Sequence, residues 1–335
     1  MEQAASDAMP ASPGSGVQAW AVSDDRAGNL RQAQALAQAL GGEAGATLQL
    51  HPRWPWRAFA PRCLPGSRHA FGIGFHAALA SPPALVVGCG RQAALATRLL
   101  RSHGARAVQI LDPRIDPAHW DVVVAPQHDR LRGSNVLSTL GSLHPVDDAW
   151  LAQARVAFAA FAALPRPRTV VLLGGSSRHV RFDRTDFEAL ADTVDAVRAR
   201  EGGSLLLTVS RRTPADVLAA VRARPVDAAG MSWLGAQDGP NPYPGLLAWA
   251  DRIVCSPDSV NMISEACATQ APVHVFEPAR AHGRLASFLQ ALLASGRIRA
   301  LDGMLAPFDV QPLRETARIA AEVRARLDSD DARRA

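Results

Sequence analysis

Four loops hold the side chains best suited to chemistry. Gly174-Gly175-Ser176-Ser177-Arg178 follows the apolar run 169–173. Two glycines leaving a buried strand let backbone amides approach a phosphate, and Ser176, Ser177 and Arg178 can complete the cradle. The same glycines would also suit a plain tight exit at positive φ, so both readings stand. Ser210-Arg211-Arg212-Thr213-Pro214 places two arginines just ahead of a helix that opens on proline. Cations there oppose the helix dipole, which favours an anion bridging Arg211 and Arg212 over a solvated surface.

The third loop is the most specific: Ser256-Pro257-Asp258-Ser259-Val260-Asn261-Met262-Ile263-Ser264-Glu265-Ala266. Asp258 or Ser259 caps a helix whose free amides, with the hydroxyls of Ser256 and Ser259, can hold a pyrophosphate. Glu265, two turns on, could accept both hydroxyls of a ribose; read blandly, it is a surface acid and Ser259 only a cap. In the fourth loop, residues 237–245, Asn241 and Tyr243 lie among prolines and glycines that could frame a base or a sugar, or simply make a turn. Three anion-suited loops in one half of the chain point to a nucleotide.

The first half offers acid–base groups. Asp24 and Asp25, in Ser23-Asp24-Asp25-Arg26-Ala27-Gly28-Asn29, are candidates for a general base, with Arg26 beside them. His76 and the pair His128-Asp129 add groups that titrate near neutrality, although a lone histidine such as His76 is as readily structural. No cluster has metal-ligand spacing. G-x-S-x-G, H-E-x-x-H and a G-x-G-x-x-G after the first strand are lacking, which disfavours a hydrolase triad, a zinc protease and a standard dinucleotide dehydrogenase.

Strands and helices must hold these loops at one edge. Short apolar runs at 17–22, 47–50, 84–87, 106–110 and 121–125 alternate with helical stretches at 29–40 and 91–100. The alternation restarts after the proline-stiffened segment 164–168, with strands at 169–173, 204–209, 230–234, 252–255 and 272–276. Helices intervene at 185–199, 214–223, 245–249 and 259–268. This is the pattern of parallel sheets covered on both faces, an α/β fold. The division is a tail at 1–16, one Rossmann-like domain at 17–163, a second at 164–310, and a C-terminal helix and frayed tail at 311–335. The helix is amphipathic enough to pack on either domain. In such sheets ligands bind beyond the carboxyl ends of the strands, where all the loops above lie.

The 335 residues, 48% hydrophobic and 20% charged, suffice for two cores of ordinary size. All 36 basic residues are arginine. The lack of lysine excludes a Walker phosphate loop and Schiff-base chemistry, and reads as a GC-rich, bacterial coding bias. The net charge of +5 permits an anionic partner, but no arginine cluster interleaved with aromatics suggests nucleic acid. Cys63, Cys89, Cys255 and Cys267 are scattered and read as buried free thiols of a cytoplasmic protein. Residues 1–16 do not read as a signal peptide, and glycines and prolines break the uncharged stretch 70–90, so no membrane helix is expected.

The segments at Asp24–Asn29, Pro126–Asp129, Gly174-Gly175, Ser210–Thr213, Asn241–Tyr243 and Asp258–Ala266 together resemble the mitochondrial fission protein family, named for elongated mitochondria in plants and also found in bacteria. The likeness covers about residues 17–290, and Asp-Ser-Val-x-Met-x-Ser-Glu-Ala is its most specific part. Asp25 and Ala27 depart from the glycine and proline usual there. The resemblance implies a layout similar to GT-B glycosyltransferases: two facing domains, with a nucleoside-diphosphate sugar in the second and an acceptor facing it from the first, on the side of Asp25, Arg26 and His76. Taken with the loops above, this layout leads to the expectation of a metal-independent transferase without a cofactor, in which Arg211, with Arg212 or Arg178, neutralises the leaving diphosphate and Asp24 or His128 deprotonates the acceptor. The acceptor could be lipid-linked, which would bring peripheral membrane contact. The alternative is a nucleotide-binding or scaffold protein that keeps the fold without turnover. A role in mitochondrial fission is not expected of a bacterial chain.

Overall fold

A computed structural model describes residues 18–24, 26–41, 46–224 and 230–334. The first domain runs β1 (Ala19–Ser23), α1 (Ala27–Gly41), β2 (Thr47–Gln49), α2 (Trp56–Phe59), α3 (Ile73–Ala80), β3 (Leu85–Cys89), α4 (Arg91–Ser102), β4 (Arg106–Ile110), β5 (Val122–Pro126) and β6 (Val136–Thr139). Its strands are parallel, in the spatial order β2-β1-β3-β4-β5-β6. Every residue of β3 and of β5 is buried, as expected for strands packed on both faces.

The second domain runs α5 (Asp148–Ala157), β7 (Arg168–Leu173), α6 (Arg184–Glu201), β8 (Ser204–Val209), α7 (Ala215–Ala223), β9 (Met231–Trp233), α8 (Tyr243–Trp249), β10 (Arg252–Cys255), α9 (Val260–Cys267), β11 (Val273–Val275), α10 (Gly283–Ala294) and β12 (Ile298–Ala300). Its sheet is also parallel, ordered β12-β11-β10-β7-β8-β9. The result is an α/β molecule of two facing Rossmann-like domains, GT-B-like in layout.

Each sheet has a core on either face. In the first domain, Ala33, Leu36 and Ala37 of α1 share one core with the strands, while Ala93, Leu95 and Leu100 of α4 fill the other with Phe75 and Trp120. The chain then returns. The last helix, α11 (Thr316–Arg334), lays Ile319, Ala320, Val323 and Leu327 into the α1 core, so it belongs to the first domain. It continues to Arg334, past the point where fraying was expected.

Other boundaries also move. Leu151 and Ala154 of α5 join the second domain's core, so the segment from 147 packs with that domain and not with the first. The chain crosses between domains before it. Strand β6 and the elements α10 and β12 were not anticipated. The strand is a short edge with alternating burial, whereas Leu285, Phe288, Leu289 and Leu292 of α10 recur at helical spacing and were legible. Cys63 is exposed, unlike the other three cysteines, and all four are free. Among the described residues, no helix is long and apolar enough to cross a membrane.

Candidate functional site

Helix α9 is the element on which the site is built. Arg297, buried, clamps its carboxyl end: Nε donates to the Cys267 carbonyl at 2.9 Å and an Nη to Thr269 at 2.8 Å. Arg314 adds a bond to the Ala268 carbonyl at 2.9 Å. Two cations at the negative end of the dipole hold the helix in place and satisfy carbonyls it cannot pair itself. At the other end the Ser259 hydroxyl caps the Met262 amide. The amides of Val260 and Asn261 have no acceptor among the described residues, and they point out of the end where the dipole is positive.

The loops around that end are knit together. Ser256 Oγ accepts from the Gly174 amide at 2.7 Å and donates to Asp258 Oδ1 at 2.7 Å; Arg212 closes the set with an Nη 3.0 Å from Asp258 Oδ2. A Cβ on Gly174 would overlap the Asp258 carboxylate, and one on Gly175 the Arg212 carbonyl. The two glycines are therefore required by close packing of the β7, β8 and β10 exits. Neither has the positive φ that a plain tight exit would need. The Gly174 amide is spent on Ser256 and is not part of an open phosphate cradle. Ser176 is spent as well, bonded to both the amide and the carbonyl of Phe182. Arg178 is exposed and bonds His179. Arg211 is exposed and makes no ion pair or hydrogen bond among the described residues, so of the arginine pair it is the one free to meet a ligand.

Glu265 is not a surface acid. It is 4% exposed, and its Oε1 lies 2.7 Å from Nε of Arg31, a residue of α1 in the other domain. Burial raises its pKa, opposed by Arg31 and by the Tyr243 hydroxyl beside it. The Arg31 guanidinium also stands over the Tyr243 ring, 5.6 Å from its centroid. In this arrangement one oxygen of the carboxylate is paired with Arg31. Asn241, exposed, accepts from the Tyr243 amide at 3.0 Å and so forms the turn that opens α8.

Helix α1 faces α9 directly. Gln32 reaches the Asn261 side chain, which also lies against Gly28 so closely that a Cβ there would overlap it. Gly28, Arg31 and Gln32 lie on one face of α1, at i, i+3 and i+4. That spacing was the available signal for Arg31, which sequence reasoning missed. Asp24, just before α1, is buried and accepts from the Arg26 amide and the Asn29 side chain, each at 3.3 Å. Asp25 lies outside the described residues.

The two candidate bases are far apart. β1 and β5 are separated by β3 and β4, so Asp24 and His128 stand about 14 Å apart at ~4.8 Å per strand. His128 sits instead against α10, its ring edge-on to Phe288 with centroids 6.3 Å apart, and burial holds its pKa below the usual value. Next to it, Asp129 pairs with Arg284 of α10 at 2.6 Å, a second ion pair between the domains. His76 pairs with His69 at 2.9 Å and does not line the cleft beside Asp24. A cavity of about 580 Å³ under α6 and α7 is lined mainly by apolar side chains and by none of the candidate residues.

The family model described as Mitochondrial fission ELM1 matches residues 27–327. The chain is 33% identical over 275 residues to the mitochondrial fission protein ELM1 of Arabidopsis thaliana, covering 73% of this chain and 64% of that protein's length. It is 24% identical over 348 residues to an uncharacterized protein of Rickettsia prowazekii, covering 90% and 96%. Among solved structures, UDP-GlcNAc 2-epimerase from Methanocaldococcus jannaschii, in complex with UDP-GlcNAc and UDP, superposes with a TM-score of 0.53 at 11% identity. That match covers 92% of this chain and 99% of the epimerase. A second structure of that epimerase gives 0.54 at 12% identity, with 91% of each chain covered. This likeness is one of fold.

Proposed function

This chain belongs to the mitochondrial fission ELM1 family, and from that premise we propose that it is a metal-independent glycosyltransferase that takes a nucleoside-diphosphate sugar at the amino end of α9. The observation that carries this is the pair of unpartnered amides at Val260 and Asn261, on a helix clamped at its other end and facing α1 across the cleft. Diphosphate oxygens suit such amides, and the free Arg211 would take up charge on the leaving diphosphate as the glycosidic bond breaks. Asp24, at the root of α1, is the group we assign to accept the proton of the acceptor hydroxyl; His128, about three strands away, is too distant to share that role. No step calls for a metal or an organic cofactor.

Calorimetry with UDP-GlcNAc, UDP-glucose and the matching adenosine and guanosine sugars tests the reading. One of them should bind and be transferred or slowly hydrolysed, with binding weakened at least tenfold by Arg211→Ala. No binding to any member of the panel removes the proposal. The Arg31–Glu265 pair, which ties the two domains together, supports a second reading, a nucleotide-binding or scaffold protein without turnover. Binding without hydrolysis or transfer selects that reading.

A further inference from the structure

We propose that the cleft at the exits of β1, β2 and β3 is a phosphate-binding site. As far as the acceptor is concerned this rests on the transferase reading, for which it implies an acceptor bearing a phosphate near the hydroxyl that reacts. The cleft encloses about 510 Å³ and is lined by Arg26, Arg53, Arg57 and Arg91 together with Asp24 and Gln92. Four guanidiniums thus share one concave space with one described carboxylate. That carboxylate is already engaged by Asn29, by the Arg26 amide and, at 3.9 Å, by the Arg26 guanidinium. Among the described residues, no carboxylate pairs with Arg53, Arg57 or Arg91.

The backbone adds to the same field. Arg91 and Gln92 are the first two residues of α4, which is entered through Gly90 at a φ of +87° and has no side-chain cap. Its first amides are therefore unsatisfied where the dipole is positive, and an arginine at that position is unfavourable unless an anion joins it. The walls are also braced. Arg91 donates to the carbonyls of Arg57 and Ala58, each at 3.2 Å, and Gln92 to the Arg57 carbonyl at 2.9 Å, tying α2 to the start of α4. Arginines that were merely solvated would not need a cross-braced concavity. A tetrahedral anion with several oxygens can meet more than one guanidinium fork and the helix amides at once.

Such a phosphate could be free, carried on a soluble molecule, or part of a lipid headgroup. Trp54, 78% exposed, and Ile73, 87% exposed, lie on the same insertion after β2, so a vesicle arm is included. Inorganic phosphate is titrated calorimetrically at low salt into the full-length protein carrying Arg211→Ala, which removes the free arginine of the nucleotide side. Flotation with phosphatidylcholine vesicles, with and without phosphatidic acid, is run in parallel. We expect saturable phosphate binding that falls at least tenfold in Arg53→Ala/Arg57→Ala and weakens as salt rises. The melting temperature should be unchanged, because both side chains are exposed. If the phosphate is borne on lipid, flotation requires phosphatidic acid, is competed by inorganic phosphate and is lost in the same double variant. The proposal is overturned if the double variant binds phosphate and phosphatidic acid vesicles as its parent does, or if the parent binds neither. Neither arm contains a nucleotide sugar, so failure of the donor reading and failure of this site are read separately.

Discussion

Arg31 Nε lies 2.7 Å from Glu265 Oε1, so the first helix of one domain closes an ion pair on a buried carboxylate of the other. Removing the arginine leaves that carboxylate without its cation, and a buried unpaired group costs about 1–3 kcal/mol. Arg31→Ala should therefore lower stability by that amount in urea denaturation. The pH dependence has a definite sign. Burial raises the folded-state pKa of Glu265, so its contribution is fully present below the unfolded value of 4.5 and is lost as pH rises through the raised value. Without Arg31, which opposes the rise, the loss should extend to higher pH. Glu265→Gln in the Arg31→Ala background should flatten it. A parallel pair of curves would show that the two groups are not coupled.

His144 supplies the opposite slope. It is 3% exposed in the segment that crosses between the domains, where burial, with Arg31 next in weight, holds its pKa at about 4 against the usual 6.5. A histidine kept neutral in the fold contributes stability above pH 6.5 that is lost as pH falls towards 4. The size is about 3 kcal/mol, at ~1.36 kcal/mol per pKa unit. His274, also held at about 4, acts in the same window. Stability measured from pH 7.5 to 4.5 should fall, and His144→Gln, though less stable at neutral pH, should fall less steeply.

The adjacent arginines are predicted to behave differently. Arg211 is exposed and unpaired, so Arg211→Ala should leave stability within about 0.5 kcal/mol. If the transferase reading holds, it should reduce turnover by ~100-fold, the usual cost of losing one electrostatic stabiliser. Arg212→Ala strips the buried Asp258 of its cation and should cost about 1–3 kcal/mol in stability. Equal effects of the two changes on both measurements would contradict the geometry.

If the transferase reading holds, Asp24→Asn should leave nucleotide binding intact and abolish transfer, since it keeps the shape of the side chain and removes the assigned base. His128→Gln should transfer at a rate close to wild type, because His128 packs on Phe288 three strands away from Asp24. The comparison is read from single-turnover transfer beside calorimetric affinity. Loss of activity in His128→Gln with an active Asp24→Asn would reverse the assignment.

The C-terminal helix is expected to be structural. Ile319 is fully buried against α1 and the first sheet, and large-to-small changes of this kind cost about 2–5 kcal/mol. Ile319→Ala should therefore destabilise the first domain by that amount in denaturant, although it lies in the chain beyond the second domain.

The amino-acid order alone determined the two parallel sheets, because strands buried on both faces must be written as unbroken apolar runs such as 122–125 and 169–173, each followed by polar loops. It also located the α9 start, since a cap residue ahead of an amphipathic turn is a local signal. Contacts between distant segments were not legible. That Asp258 lies against Gly174, and that Arg31 of the other domain pairs with Glu265, which the sequence offered as a ribose ligand or a surface acid, has no local signal. The separation of Asp24 from His128 follows from strand order, which no local pattern encodes. The side on which α11 packs was also undecided, because its apolar stripe suits either core and only the return path of the chain selects one. Pairings of this kind are set by which surfaces meet once both sheets have formed, and that is tertiary information.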